Sequence, residues 1–122
     1  VASTIAHDSH NLMIIGADEE DMAFAGNKLA EVGGGLVGVD GGEVLGLVDL
    51  PIAGLISDRP LEETHRKMRK VKEAWKEIGC DLESPFTTMI LLALPVLPEI
   101  RITDKGLIDT VDFEFLDIRL GK

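Results

Sequence analysis

Apolar and polar positions repeat along this chain with two different spacings, and each spacing predicts a different kind of element. Short, nearly continuous apolar runs predict strands, and they lie at residues 1–6, 12–15, 36–39 and 44–49. Apolar residues separated by three or four positions predict helices over residues 19–32 and 60–78. The first two thirds of the chain therefore interleave strands with helices.

Residues that favour helix ends flank both predicted helices. Asp18 is suited to cap the first helix, and Gly33 supplies the backbone freedom that ends it. Pro60 is favourable at the first position of the second helix, which Gly79 closes. His65 lies on the apolar stripe of that helix, so we expect it to be a packed residue rather than a ligand.

The last third of the chain predicts a short helix followed by strands. Residues 85–92 are apolar nearly all round, and the prolines that follow end this helix. A hairpin is expected over residues 100–109, and the alternation of residues 111–115 predicts a half-buried strand. The whole pattern predicts a mixed α/β sandwich, with one mixed sheet covered by two main helices and a short apolar helix.

The length and charge of the chain limit its domain organisation and its partners. At 122 residues we expect a single domain over residues 1–122. The net charge of −10 argues against nucleic acid and an anionic membrane as partners, because both repel acidic proteins. Residues 58–77 hold seven of the twelve basic residues, and the favoured interpretation is a solvated helix face with short-range ion pairs.

Cysteine use and hydropathy predict a cytoplasmic protein. Cys80 is the only cysteine, so the chain cannot form an internal disulfide. The longest apolar run, residues 89–94, is far shorter than the ~20 residues that a membrane span needs.

The connection between the first two predicted strands holds the side chains best suited to catalysis or ligand binding. It contains His7, Asp8, Ser9, His10 and Asn11, and so two of the three histidines of the chain. Histidine binds metals and transfers protons near neutral pH, so this loop is the best candidate for a functional site. The competing interpretation is a polar surface loop that is rich in turn-forming residues.

A glycine pattern elsewhere resembles a dinucleotide-binding motif but fails its structural test. Gly33, Gly35 and Gly38 have the required spacing. The motif functions only where it leaves a strand and opens a helix, because the helix N-terminus binds the pyrophosphate. Here the glycines leave a predicted helix and enter a predicted strand, so the sequence does not support dinucleotide binding.

Several blocks of sequence, in order along nearly the whole chain, resemble the C-terminal domain of the adenine deaminases of the amidohydrolase superfamily. They are IAHDSHN at 5–11, DEEDMA at 18–23, GGGLV at 33–37, LPIAGLISD at 50–58, GCDL at 79–82, PF at 85–86, LALPV at 92–96 and TDKGL at 103–107. The resemblance implies hydrolytic deamination of adenine to hypoxanthine and ammonia by a metal-bound hydroxide.

The same resemblance implies that the catalytic machinery lies outside this chain. In the family a divalent metal (manganese, iron or zinc) is bound in a (β/α)₈ barrel that precedes this domain. These 122 residues have no His-x-His pair and are too few for a barrel, which needs ~200 residues. We therefore expect no metal ligand, no bound cofactor and no catalytic residue in this chain.

Three functions follow from these patterns. The first is an accessory domain of a metal-dependent adenine deaminase, in which the loop 7–11 contributes to active-site closure or purine contact. Its partners are then the preceding barrel and the purine, and a homo-oligomer is compatible with this interpretation. The second is a non-catalytic interaction or ligand-binding module related to that domain, which covers the barrel or a neighbouring subunit through the apolar segment 89–96 and the helix 60–78. The third is a self-contained metallohydrolase that uses His7 and His10. Two histidines alone supply too few ligands for such a metal site.

Overall fold

The computed structural model describes residues 1–119, in which strands and helices alternate. The helices are α1 (Glu19–Val32), α2 (Leu61–Glu77) and α3 (Pro85–Leu91). The strands are β1 (Ala2–Ser3), β2 (Met13–Ile14), β3 (Gly35–Asp40), β4 (Glu43–Asp49), β5 (Ile100–Thr103), β6 (Gly106–Asp109) and β7 (Glu114–Leu116). In this part of the chain no helix is long and apolar enough to cross a membrane. The predicted mixed α/β composition is confirmed.

The ends of α1 are set by the residues that the sequence indicates. The Asp18 carboxylate accepts a hydrogen bond from the backbone N–H of Asp21 at 2.8 Å, which satisfies a free donor of the first turn. Gly33 ends the helix with φ at 84°, a left-handed conformation that costs glycine little. For α2, Pro60 immediately precedes the first helical residue rather than occupying that position.

The first sheet is antiparallel and has the strand order β2-β1-β3-β4. Strands β3 and β4 form a hairpin that turns at Gly41 and Gly42, both with positive φ. The Asp21 carboxylate accepts hydrogen bonds from the N–H groups of Gly41 at 2.9 Å and Gly42 at 2.7 Å. The hairpin turn is thereby fixed to the first turn of α1.

The two main helices cover opposite faces of this sheet. The α1 side of the core is formed by Ala2, Ala25, Leu29, Val37 and Val39. The α2 side is formed by Val1, Ala6, Met13, Leu36, Val48, Leu50, Val71, Trp75 and Met89. Successive residues of β3 contribute to opposite sides because side chains alternate along a strand. The sheet is therefore the middle layer of three.

Glycines in the sheet allow α2 to approach it closely. Gly38 and Gly46 lie opposite each other in the β3–β4 pairing. A Cβ atom on Gly38 would lie 2.8 Å from the Cβ of Ala74, and one on Gly46 would lie 2.8 Å from the backbone nitrogen of Val71. Gly38, which completes the apparent dinucleotide motif, thus serves helix packing.

The expectation that His65 is packed is wrong, because His65 is exposed. The buried residues of α2 are Val71, Ala74 and Trp75, all in its C-terminal half. Leu61, at the start of the helix, is 78% exposed. The apolar stripe therefore extends beyond the part of the helix that the sheet covers.

The prediction of one mixed sheet is wrong, because the strands form two separate antiparallel sheets. The second sheet contains three strands in the order β5-β6-β7. Its strands are joined by two consecutive hairpin connections. In the sequence, α2 and α3 separate these strands from those of the first sheet. Local hydrophobic patterns identify strands but do not determine which strands pair.

The strand predicted over residues 111–115 is displaced toward the C-terminus. The Asp109 carboxylate accepts hydrogen bonds from the N–H groups of Val111 at 2.8 Å and Asp112 at 3.1 Å, which forms a turn. Phe113 has φ at 56°, so the extended conformation begins only after it. Phe113 and Phe115 are 78% and 64% exposed, so the alternation does not mark a half-buried strand.

A partly buried ion pair joins the end of β4 to α2. The Lys67 ammonium donates to the Asp49 carboxylate, and Glu63 Oε1 lies 3.6 Å from Lys67 Nζ. The hydrogen bond from Lys67 holds the pKa of Asp49 below its usual value, although partial burial opposes this shift.

We expect Asp49→Asn to lower the free energy of unfolding by about 1 kcal/mol at pH 7, because it removes the charge and leaves Lys67 less well paired. The lowered pKa means that the carboxylate stabilises the fold fully above the unfolded-state pKa of about 3.9. That contribution is lost as the pH falls through the lower folded-state pKa. Chemical denaturation at pH 7 and at a series of acidic pH values should show the difference shrinking as the pH falls. The exposed Asp81→Asn is the control, and an equal effect of both variants would contradict the prediction.

Candidate functional site

The loop at residues 7–11 is held on a rigid base. Ser3 is fully buried, and its Oγ donates to the carbonyl of Ile5 at 3.1 Å and accepts from its N–H at 3.0 Å. The backbone N–H of His10 donates to the carbonyl of the buried Ala6, which closes the loop. Because this base is buried and hydrogen-bonded, the two ends of the loop backbone have a defined position.

His10 contributes to the loop mainly as a structural residue. Its Nδ1 accepts a hydrogen bond from the backbone N–H of Ala6 at 3.4 Å. Since Nδ1 is the acceptor, the neutral ring carries its proton on Nε2. His10 also has φ at 50°, a conformation more often adopted by asparagine, aspartate and histidine than by most other residues.

His7 and Asp8 lie on the outer side of the loop. Their side chains are 58% and 89% exposed, and His7 Nδ1 lies 3.9 Å from Asp8 Oδ1. The rings of His7 and His10 are tilted, with their centroids 5.5 Å apart. These three side chains are not part of the cleft wall described next.

Ser9 and Asn11 line a cleft of about 280 Å³ between the loop and the second sheet. The remaining lining residues are Leu12, Met13, Ile14, Ala93, Pro95, Ile102, Thr103 and Asp104. Most of this wall is apolar, and the polar groups lie on Ser9, Asn11, Thr103 and Asp104. A largely apolar cleft with a few polar groups is typical of a site for a small organic molecule.

The far wall of the cleft is fixed by hydrogen bonds of the β5–β6 hairpin. The N–H of Ile102 donates to the carbonyl of Leu92 at 3.0 Å, which ties β5 to the segment after α3. The Thr103 hydroxyl donates to the carbonyl of Gly106 at 2.8 Å and accepts from the N–H of Lys105 at 3.1 Å. Thr103 is thus engaged in the turn, and Asp104 is the exposed carboxylate of this wall.

The loop does not have the arrangement of a metal centre. Within residues 1–119, no group of three or more histidine, cysteine, aspartate and glutamate side chains is placed to hold a metal ion. His10 already uses Nδ1 within the loop, and Asp8 is almost fully exposed. The donors present therefore do not fit the three or four protein ligands that a zinc-type site needs.

Half of the cleft, five of its ten lining residues, comes from the last third of the chain. The sequence predicts Thr103 and Asp104 only as parts of a hairpin, and Pro95 as a helix terminator within the apolar segment 89–96. These residues lie about ninety positions after the loop. A hairpin pattern contains no information on which distant loop its turn meets.

The fold and the cleft define a three-layer α/β domain, with an added sheet, that presents two polar side chains beside an apolar pocket. Comparison with known proteins identifies its family. The family described as the adenine deaminase C-terminal domain matches residues 1–114. The chain belongs to this family, and the resemblance in its sequence blocks is confirmed.

Relatives from distant bacteria share this similarity. The chain is 59% identical over 121 residues to an adenine deaminase of Moorella thermoacetica and 57% identical over 118 residues to one of Clostridium botulinum. It is 47% identical over 116 residues to an adenine deaminase of Brucella melitensis. These matches cover 95–99% of this chain but only 20% of each relative. The chain thus spans about a fifth of the length of these relatives.

Proposed function

We propose that this chain is the C-terminal accessory domain of a metal-dependent adenine deaminase, which converts adenine and water into hypoxanthine and ammonia. The family and the names of the full-length relatives support this proposal. The catalytic centre then belongs to the preceding amidohydrolase barrel. Residues 1–122 act as one domain that assists the reaction without catalysing it alone.

Ser9 and Asn11 are the residues of this chain that we assign to the substrate side. The observation that supports the assignment most strongly is that both line the cleft beside Asp104. An asparagine amide both donates and accepts hydrogen bonds, which matches the mixed donors and acceptors of a purine edge. A base bound against the apolar wall beside them would displace water, which strengthens its hydrogen bonds.

His7, Asp8 and His10 receive supporting roles in this proposal. His10 holds the loop through Ala6, and His7 and Asp8 extend outward from the loop. The divalent metal of the family (manganese, iron or zinc) is assigned to the barrel, because the residues of this chain do not fit a metal site.

The partners that follow are the preceding barrel and the purine substrate. The net charge of −10 and the single cysteine support a cytoplasmic protein that binds neither nucleic acid nor membranes. The second candidate function is an interaction module that covers the barrel without touching substrate. The outward position of His7 and Asp8 favours that candidate.

Adenine deaminase activity of the isolated 122-residue chain is the experiment that separates an accessory domain from a self-contained enzyme. We expect ammonia and hypoxanthine release at background level with added manganese, iron or zinc, because residues 1–119 bring no set of metal ligands together. The full-length polypeptide, prepared and assayed in parallel, is the positive control. Sustained turnover by the isolated chain that disappears with His7→Ala would contradict the proposal and establish a metallohydrolase within this chain.

A further inference from the structure

The second sheet and the turns beside it expose an unusual amount of apolar surface. Six side chains are between 47% and 79% exposed, namely Ile100, Ile102, Val111, Phe113, Phe115 and Ile118. We call these six residues the β5–β7 surface. Exposed apolar residues scattered singly are common, but six of them within one small sheet and its turns mark an interaction site.

Both faces of the second sheet contribute to this exposure. Ile102 lies opposite Leu107, so these side chains share one face, whereas Ile108 and Phe115 lie opposite each other on the other face. Ile102 is 52% exposed and Phe115 is 64% exposed. The described part of the chain therefore leaves both faces at least partly open to solvent. Small sheets normally need packing on at least one face for stability.

The relatives indicate what covers this sheet. The chain matches about a fifth of their length, and the family is their C-terminal domain, so most of the polypeptide precedes it. Ile102 belongs both to the β5–β7 surface and to the wall of the cleft that contains Ser9 and Asn11. A partner that meets the cleft therefore also meets the face of the sheet that carries Ile102.

We propose that the β5–β7 surface docks against the catalytic portion that precedes this domain in the full-length relatives. The inference rests on the proposed function and names the surface through which the accessory domain is positioned. Phe113 and Phe115 are its aromatic anchors, because exposed aromatic side chains that become buried dominate interface energies. The exposed residues Asp112 and Glu114 adjoin them in sequence, so the catalytic portion is expected to present basic groups beside this contact.

Docking at this sheet would also position the loop 7–11 relative to the catalytic portion. The β5–β6 hairpin is tied to the segment after α3 by the hydrogen bond between Ile102 and Leu92. The hairpin and the loop that holds Ser9 and Asn11 form opposite walls of one cleft. Fixing the sheet against the catalytic portion therefore orients the cleft without any contact from His7 or Asp8.

The test uses the full-length polypeptide with the double substitution Phe113→Asn and Phe115→Thr. Asparagine tolerates the positive φ of residue 113, and threonine is suited to a strand, so both replacements preserve the local backbone. The control is Ile56→Thr, because Ile56 is 60% exposed and lies outside the second sheet. The readouts are thermal unfolding, the rate of proteolysis at the junction before Val1, and molecular mass by light scattering.

We expect the double variant to be cut at the junction at least about fivefold faster than the control, and to show a separate unfolding transition for this domain at unchanged mass. Cleavage and unfolding identical to those of the control would overturn the proposal. A lower mass with the single transition retained would overturn it as well, since the surface would then join two copies of the protein. The proposed function is tested by a separate experiment, in which deamination of adenine by the isolated chain would contradict it.

Discussion

Replacing Trp75 with alanine should lower the free energy of unfolding by about 3–5 kcal/mol, the cost typical of removing a large core aromatic side chain. Trp75 is 7% exposed and lies in the core between α2 and the first sheet. Its ring meets Phe86 edge-on, with centroids 4.9 Å apart and planes at 79°. The substitution therefore removes contacts to the sheet and to α3 and leaves a cavity between them.

The control for this substitution is Trp75→Phe, which keeps an aromatic ring at the same position. The indole Nε1 is buried and has no hydrogen-bond partner among the described residues, so its removal should offset part of the lost volume. We expect the phenylalanine variant to lie within about 1.5 kcal/mol of the original protein in chemical denaturation. A loss below about 1 kcal/mol for Trp75→Ala would contradict the core position of this residue.

The elements that the sequence predicts well are those whose determinants are local. Helix α1 has its cap and its terminating glycine within one continuous segment, Asp18 to Gly33. The β3–β4 hairpin turns at two adjacent glycines, which a two-residue turn requires. In both cases the residues that specify the element are those that form it.

The features that the sequence does not predict depend on distant contacts. Separate sheets arise because β1 pairs with β3 and β2, whereas β5–β7 pair only among themselves, and no strand pattern specifies this. His65 has the spacing of a buried residue, but the sheet does not extend under its turn of α2. The Asp109 turn displaces β7 because a single carboxylate takes up two N–H groups that a strand would otherwise use.

The candidate site shows the same division. The chemistry of the sequence singles out the loop 7–11 as a candidate, but it does not indicate which of the five side chains face a cleft. In the structure the ring of His10 bonds to Ala6, His7 is exposed, and Ser9 and Asn11 are the loop residues that line the cleft. Which side chains of a short loop face a cleft depends on the turn that closes it, and composition alone does not determine that turn.

In the full-length polypeptide, Asn11→Ala should lower kcat/KM for adenine by about tenfold to a hundredfold. The substitution removes one or two hydrogen bonds to the bound base, and each tenfold loss corresponds to about 1.4 kcal/mol. Ser9→Ala should act in the same direction with a smaller effect, because a hydroxyl offers fewer fixed hydrogen bonds than an amide. Asn27→Ala is the matched control, because Asn27 is exposed on α1 and does not line the cleft.

The most direct test of the accessory role is therefore kcat/KM for adenine measured together with bound metal in the Asn11→Ala and Asn27→Ala full-length proteins. The account predicts a loss of activity for Asn11→Ala alone, with the metal content of both variants equal to that of the unmodified protein. Unchanged kcat/KM for Asn11→Ala would contradict a contribution of the loop to substrate binding. Loss of metal from the Asn11→Ala protein would contradict the account as well, because it would place this loop in the metal centre.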